Sequence, residues 1–63
     1  MSDNDSYVVV ANGKPSAAMT WDAAIGRGKH LGEFRGQTVK VHRVRNGKSA
    51  DVVASWENFE RTK

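Results

Sequence analysis

The chain has 63 residues, room for one domain whose core is small, because a chain of this size buries only about 60% of the surface its unfolded form exposes. It contains no cysteine, which removes disulfides and thiolate metal sites together. Ten Lys and Arg against seven Asp and Glu leave a formal charge of +3, a balance that permits contact with nucleic acid or an acidic protein surface without selecting either.

The first six residues, Met1-Ser2-Asp3-Asn4-Asp5-Ser6, are polar and acidic, unlike a signal peptide, and lack an apolar anchor. They are expected to be a disordered tail (1–6). No apolar run approaches the roughly 20 residues of a membrane-spanning helix, so a cytoplasmic protein is expected. The domain is predicted over 7–59, with a loose end at 60–63. Its first strand is the β-branched run Tyr7-Val8-Val9-Val10-Ala11, closed by the turn cluster Asn12-Gly13-Lys14-Pro15. The run does not alternate, so the strand is expected to be covered on one face and close to another surface on the other, with Val8 and Val10 as simply exposed valines the alternative.

Thr20 is well placed as a helix N-cap, with Asp22 in the first turn where its charge suits the helix dipole. On a wheel at 100° per residue, Trp21, Ala24, Ile25, Gly28, Leu31 and Gly32 fall within an arc of roughly 120°. Gly28 and Gly32 lie on that stripe, where a missing side chain lets a helix approach a sheet closely. Gly32 or Gly36 is the expected stop.

The second and third strands flank Asn46-Gly47, a strong hairpin signal. A two-residue turn there places Val41 opposite Val52, Val39 opposite Ala54 and Gln37 opposite Trp56. The other face then carries Thr38, Lys40, His42, Val44, Ser49, Asp51, Val53 and Ser55, with His42 facing Asp51. A three-residue loop mixes charge into the apolar set, because a one-residue slip moves one strand's side chains to the other face. Arg43 falls on the apolar face near the turn, its stem packed and its head in water. Phe59 is expected beside Trp56.

The fold class that follows is α+β: a three-stranded antiparallel sheet in the order 1-3-2, with one helix on one face. A helix crossing between the first two strands makes them parallel, and inserting the third between them makes every neighbouring pair antiparallel. Both tryptophans are assigned to the core, and the first and second strands are open edges.

Candidate chemistry is sparse. Gly26-Arg27-Gly28-Lys29-His30-Leu31-Gly32 matches neither GxGxxG nor the GxxxxGK phosphate loop and falls inside the helical stripe. His30 and His42 have no ligand partners at metal-binding spacing, and so small a sheet offers little pocket for a catalytic triad. The expectation is a protein without catalysis, metal or cofactor. Two binding readings follow. Protein recognition would use the bare sheet face, with Lys40, His42, Val44, Val53 and Asp51 as candidate contacts, or an open strand edge, including a homodimer through that edge. Nucleic-acid binding is the alternative, through a basic collar of Arg27, Lys29, Arg35, Lys40, Arg43, Arg45 and Lys48. That face carries no aromatic of the kind that single-strand readers stack on bases.

In its strand, helix, hairpin layout the chain resembles small phage or prophage accessory proteins, among them short phage inhibitors of bacterial RNA polymerase. Thr20-Trp21-Asp22-Ala23-Ala24 is similar to their Thr-x-Asp-x-Ala helix start, and Val41-His42-Arg43-Val44-Arg45 to their Val-x-Arg-Val-Arg strand. Those inhibitors act through an acidic strip where this chain is basic, so no functional residue is carried over. The resemblance implies a class: a stand-alone module that docks on a host protein complex and modulates it.

Overall fold

The computed structural model describes residues 5–63. Most of the tail expected to be disordered, 1–4, lies outside the described residues. Three tight corners set the architecture. Asn12-Gly13, Asn46-Gly47 and Asn58-Phe59 all have positive φ, and each is bracketed by a directly paired couple: Ala11 with Lys14, Arg45 with Lys48, Glu57 with Glu60. Two successive positive-φ residues match the twist of a two-residue antiparallel hairpin. The strands are β1 (Ser6–Ala11), β2 (Lys14–Pro15), β3 (Val39–Arg45), β4 (Lys48–Glu57) and β5 (Glu60–Arg61), and the helix α1 is Trp21–Lys29.

They form one antiparallel sheet of five strands, in the order β2-β1-β3-β4-β5. The α+β class stands, with the helix packed on one face, but the order 1-3-2 does not, because β1 lies directly against β3. The reason is the first corner. Asn12-Gly13 turns the chain back along β1, so that Met19 bridges to Tyr7 at the strand's start. The helix then runs in the direction of β1, and β3 returns antiparallel to it. The extra reversal makes the helix an ordinary connection instead of a parallel crossover. The C-terminal residues expected to be loose carry β5, and β1 begins one residue early, at Ser6.

The helix starts as its sequence dictates: Thr20 Oγ1 accepts from the Ala23 N–H at 3.3 Å. Its last turn widens into a π turn over His30–Phe34, where the Arg35 N–H reaches back to the His30 carbonyl at 3.3 Å. Gly36, at φ +68°, then breaks the helical path. The buried cluster is Val9, Ala24, Val39, Val41, Ala54 and Trp56. Trp56 sits in it because Gly28 and Gly32 are glycines: a Cβ at Gly28 would lie 2.7 Å from Trp56 Cζ3, and one at Gly32 would overlap the Trp56 Cβ and Cγ. Its indole Nε1 donates to Glu33 Oε2 at 2.9 Å, so the one polar atom of the ring is satisfied.

Trp21 does not share that core. It occupies the first helical position, is 42% exposed and meets Tyr7 of β1 edge-on at 5.2 Å. Phe59 is likewise outside the buried cluster. It is 60% exposed, with its ring over Gly36.

The hairpin register also differs from expectation. The two-residue turn at Asn46-Gly47 is present, but Val41 pairs with Ala54 and Val39 with Trp56. Two bulges account for the change. Val53 is skipped between Val41–Ala54 and His42–Val52, and Ala50 between Arg43–Asp51 and Val44–Ser49. Two single-residue shifts add up to an even number, so Val39, Val41, Ala54 and Trp56 keep the inward face predicted for them, while the segment between the bulges is turned over.

The edges are closed more fully than the 1-3-2 order implied. Tyr7 exchanges both backbone hydrogen bonds with Met19, and the Val9 carbonyl and N–H are taken by the Ser16 N–H and Oγ. β3, expected at an edge, is central.

Candidate surface for partner recognition

The helix covers one face of the sheet and nothing among the described residues covers the other. Cross-strand pairing defines that face row by row, since directly paired residues project to the same side. Ser6, Val44 and Ser49 make one row. Val8, His42 and Val52 make the next, and Pro15, Val10, Lys40 and Ser55 the third. Thr62 extends the third row, its Oγ1 2.6 Å from Ser55 Oγ. Val8, Val10, His42, Val44 and Val52 are half-buried by their neighbours, and Lys40 is exposed. Glu57 and Glu60, directly paired one step past Trp56, make a fourth row on the same face. The result is a valine surface around one imidazole and one ammonium, with two exposed carboxylates at its β4–β5 end.

Of the residues named from sequence, Lys40, His42 and Val44 lie on this face as read. Asp51 and Val53 do not. The bulge at Ala50 turns Asp51 to the helix side, where it pairs with Arg43 and not with His42. Val53 is the skipped residue of the second bulge and packs against the buried cluster. Val52 takes the outward place that Val53 was given. Val8 and Val10 join through the β1–β3 pairing. The signal for them was present in the Val8-Val9-Val10 run, where only alternate residues can reach one core, but no signal in the chain marks the bulges.

The basic collar is taken apart. Asp5 binds Arg45 through two hydrogen bonds, Nε to Oδ1 at 3.0 Å and Nη2 to Oδ2 at 3.3 Å. That carboxylate raises the Arg45 guanidinium above its ordinary value, by hydrogen bonding first and by charge second. Arg43 Nε, expected in water, is enclosed without a hydrogen-bond partner, 4.0 Å from both Asp5 and Asp51. Two of the seven cations are therefore answered by internal carboxylates. The others point to separate surfaces: Arg27 to a cleft beside the helix, Lys29 and Arg35 to the helix end, Lys40 to the open sheet face and Lys48 to the hairpin tip.

Among the described residues no group of three His, Asp or Glu side chains is arranged to hold a metal ion, and no helix is long and apolar enough to cross a membrane. The chain matches no protein-family model, and the comparisons found no curated protein and no solved structure similar to it.

Proposed function

We propose that this protein is a protein-binding module, acting without catalysis, that docks the uncovered face of its sheet on a partner surface with an apolar centre and carboxylates around it. The observation that carries the reading is the composition of that face: Val8, Val10, Val44 and Val52 around His42 and Lys40, with the carboxylates of Glu57 and Glu60 set apart at its β4–β5 end. Half-apolar surface of this kind gains most by covering, and the Lys40 ammonium beside its apolar centre favours a carboxylate on the partner. The class implied by the phage-inhibitor resemblance supplies the kind of partner: a component of a host protein complex. Nucleic-acid binding is the poorer reading, because Arg43 and Arg45 already face Asp5 and Asp51.

The test is crosslinked capture from a bacterial lysate with the wild-type chain and with Lys40→Glu, Val52→Asp and, as a control on the helix, Lys29→Glu, each first shown to fold by circular dichroism. Lys40→Glu and Val52→Asp should lose the captured protein and Lys29→Glu should keep it. Full capture by both face variants overturns the proposal. So does tight binding of random DNA or RNA near 50 mM salt that collapses by about 200 mM, the signature of phosphate contacts.

A further inference from the structure

A cleft of about 470 Å³ opens on the other side of the sheet, between α1 and the β1–β2 corner. Its apolar floor is Val9, Ala11 and Leu31, and its polar lining includes Lys14, Arg27, Asn12 and Gln37 but no Asp or Glu. That volume falls in the range of small-molecule sites, which combine an apolar lining with a few placed polar groups. The polar groups here are biased toward donors. Asn12 spends its Oδ1 on the Thr38 N–H at 3.3 Å, leaving its amide hydrogens to serve as donors. The Ser16 hydroxyl is already engaged, accepting from the Val9 N–H and donating to the Ala17 carbonyl. Neither Lys14 nor Arg27 forms an ion pair among the described residues.

We propose that this cleft is a binding site for a small organic carboxylate, its apolar body on Val9, Ala11 and Leu31 and its anion met by Lys14, Arg27 and the Asn12 amide. A neutral ligand of the same shape leaves the cations unanswered, and an inorganic anion leaves the floor bare. Both halves of the site are needed to explain its lining. The cleft shares Pro15 with the rim of the open face but none of Val8, Lys40, His42 or Val52 lines it, so either assignment can fail without the other.

The experiment is a titration of the full chain, ¹⁵N-labelled and followed by amide chemical shifts, with hexanoate, benzoate, their neutral counterparts hexanol and benzyl alcohol, and inorganic phosphate. The carboxylates should saturate shifts at Ala11, Asn12, Lys14, Leu31 and Gln37. The alcohols and phosphate should bind roughly tenfold more weakly, the effect of one charge-assisted hydrogen bond or of the lost apolar contact. Arg27→Gln and Lys14→Gln, both exposed and remote from the core, should each weaken hexanoate severalfold. Equal binding of alcohol and carboxylate, phosphate binding as tight as hexanoate, shifts centred elsewhere, or no saturable shift with either carboxylate overturns the proposal.

Discussion

Replacing the helix glycines by alanine, one at a time, separates two forces that usually act together. Alanine in place of glycine in a helix stabilises by about 0.5–1 kcal/mol through backbone entropy alone. At Gly26 nothing lies within 4 Å of the added methyl, so Gly26→Ala should gain that amount. At Gly28 the methyl would lie 2.7 Å from Trp56 Cζ3 and 3.2 Å from Val41 Cγ2, and a modest rotation of the ring end relieves it. The overpacking cost there, about 1 kcal/mol, roughly cancels the entropy gain. At Gly32 the methyl would overlap Trp56 Cβ and Cγ and stand 2.9 Å from Cδ1. Those atoms are fixed by the β4 backbone, so the helix itself must lift off the sheet. The cost should reach or exceed the ~3 kcal/mol upper end of overpacking penalties and leave a net loss of about 2 kcal/mol. Urea unfolding followed by tryptophan fluorescence, from Trp21 and Trp56 together, and by far-ultraviolet circular dichroism reads all three variants. In a domain of this size 1 kcal/mol is about 4–8 °C in Tm, well within resolution. If Gly32→Ala is as stabilising as Gly26→Ala, the close approach of helix and tryptophan is wrong.

Phe59 holds φ +66° at a corner position that glycine fills in the other two hairpins, so Phe59→Gly relieves strain while losing the ring over Gly36. Phe59→Ala loses the ring and keeps the strain, and should be less stable than Phe59→Gly by about 1 kcal/mol in urea midpoints. Glu33→Ala orphans the buried Trp56 Nε1 donor and should cost about 1–3 kcal/mol in urea unfolding, most of it recovered in Glu33→Gln, which keeps an acceptor. Arg45 is raised by Asp5; a cation raised in the folded state contributes stability that is complete below its ordinary value and lost only as pH rises through the raised one. Unfolding of Arg45→Gln and wild type should therefore differ by a constant across about pH 6 to 9, a difference that shrinks with added salt.

The Asn46-Gly47 hairpin, the Thr20 cap and the Gly28, Gly32 approach were all legible because each is a local rule: two residues that tolerate positive φ, one hydroxyl before a helix, two absent side chains on one stripe. What stayed hidden is non-local. Asn12-Gly13 is the same dipeptide as Asn46-Gly47, yet its return strand is two residues long and ends in Pro15, too short to show alternation, so the reversal it causes could not be distinguished from a loop. The bulges are hidden for another reason. β4 uses ten residues where β3 uses seven, but the inward positions Ala54 and Trp56 keep their parity with Val39 and Val41, and only the identities of the residues between the bulges, Asp51 and Val52, change sides. Half of the outer face was therefore named correctly from the sequence, and the valine at its centre was not.

A sheet meets another chain either by its edge or by its face, and the closed edges of this one bear on the choice. On the β1 side the backbone groups of Tyr7 and Val9 are bonded to Met19 and Ser16. On the β4 side Trp56 and Glu57 pair with β5, and the Ser55 carbonyl accepts from Thr62 at 2.8 Å. The stretch of β4 left beside solvent, 48–53, is the one that carries both bulges, and a bulged edge is a poor template for strand addition. Edge pairing into a homodimer therefore has little straight backbone to use. The face offers more: a valine centre beside Lys40 and, at its β4–β5 end, the carboxylates of Glu57 and Glu60. The uncovered face, and not the edge, is the larger continuous surface, and its apolar centre is the Val8, His42, Val52 row across the middle of the sheet.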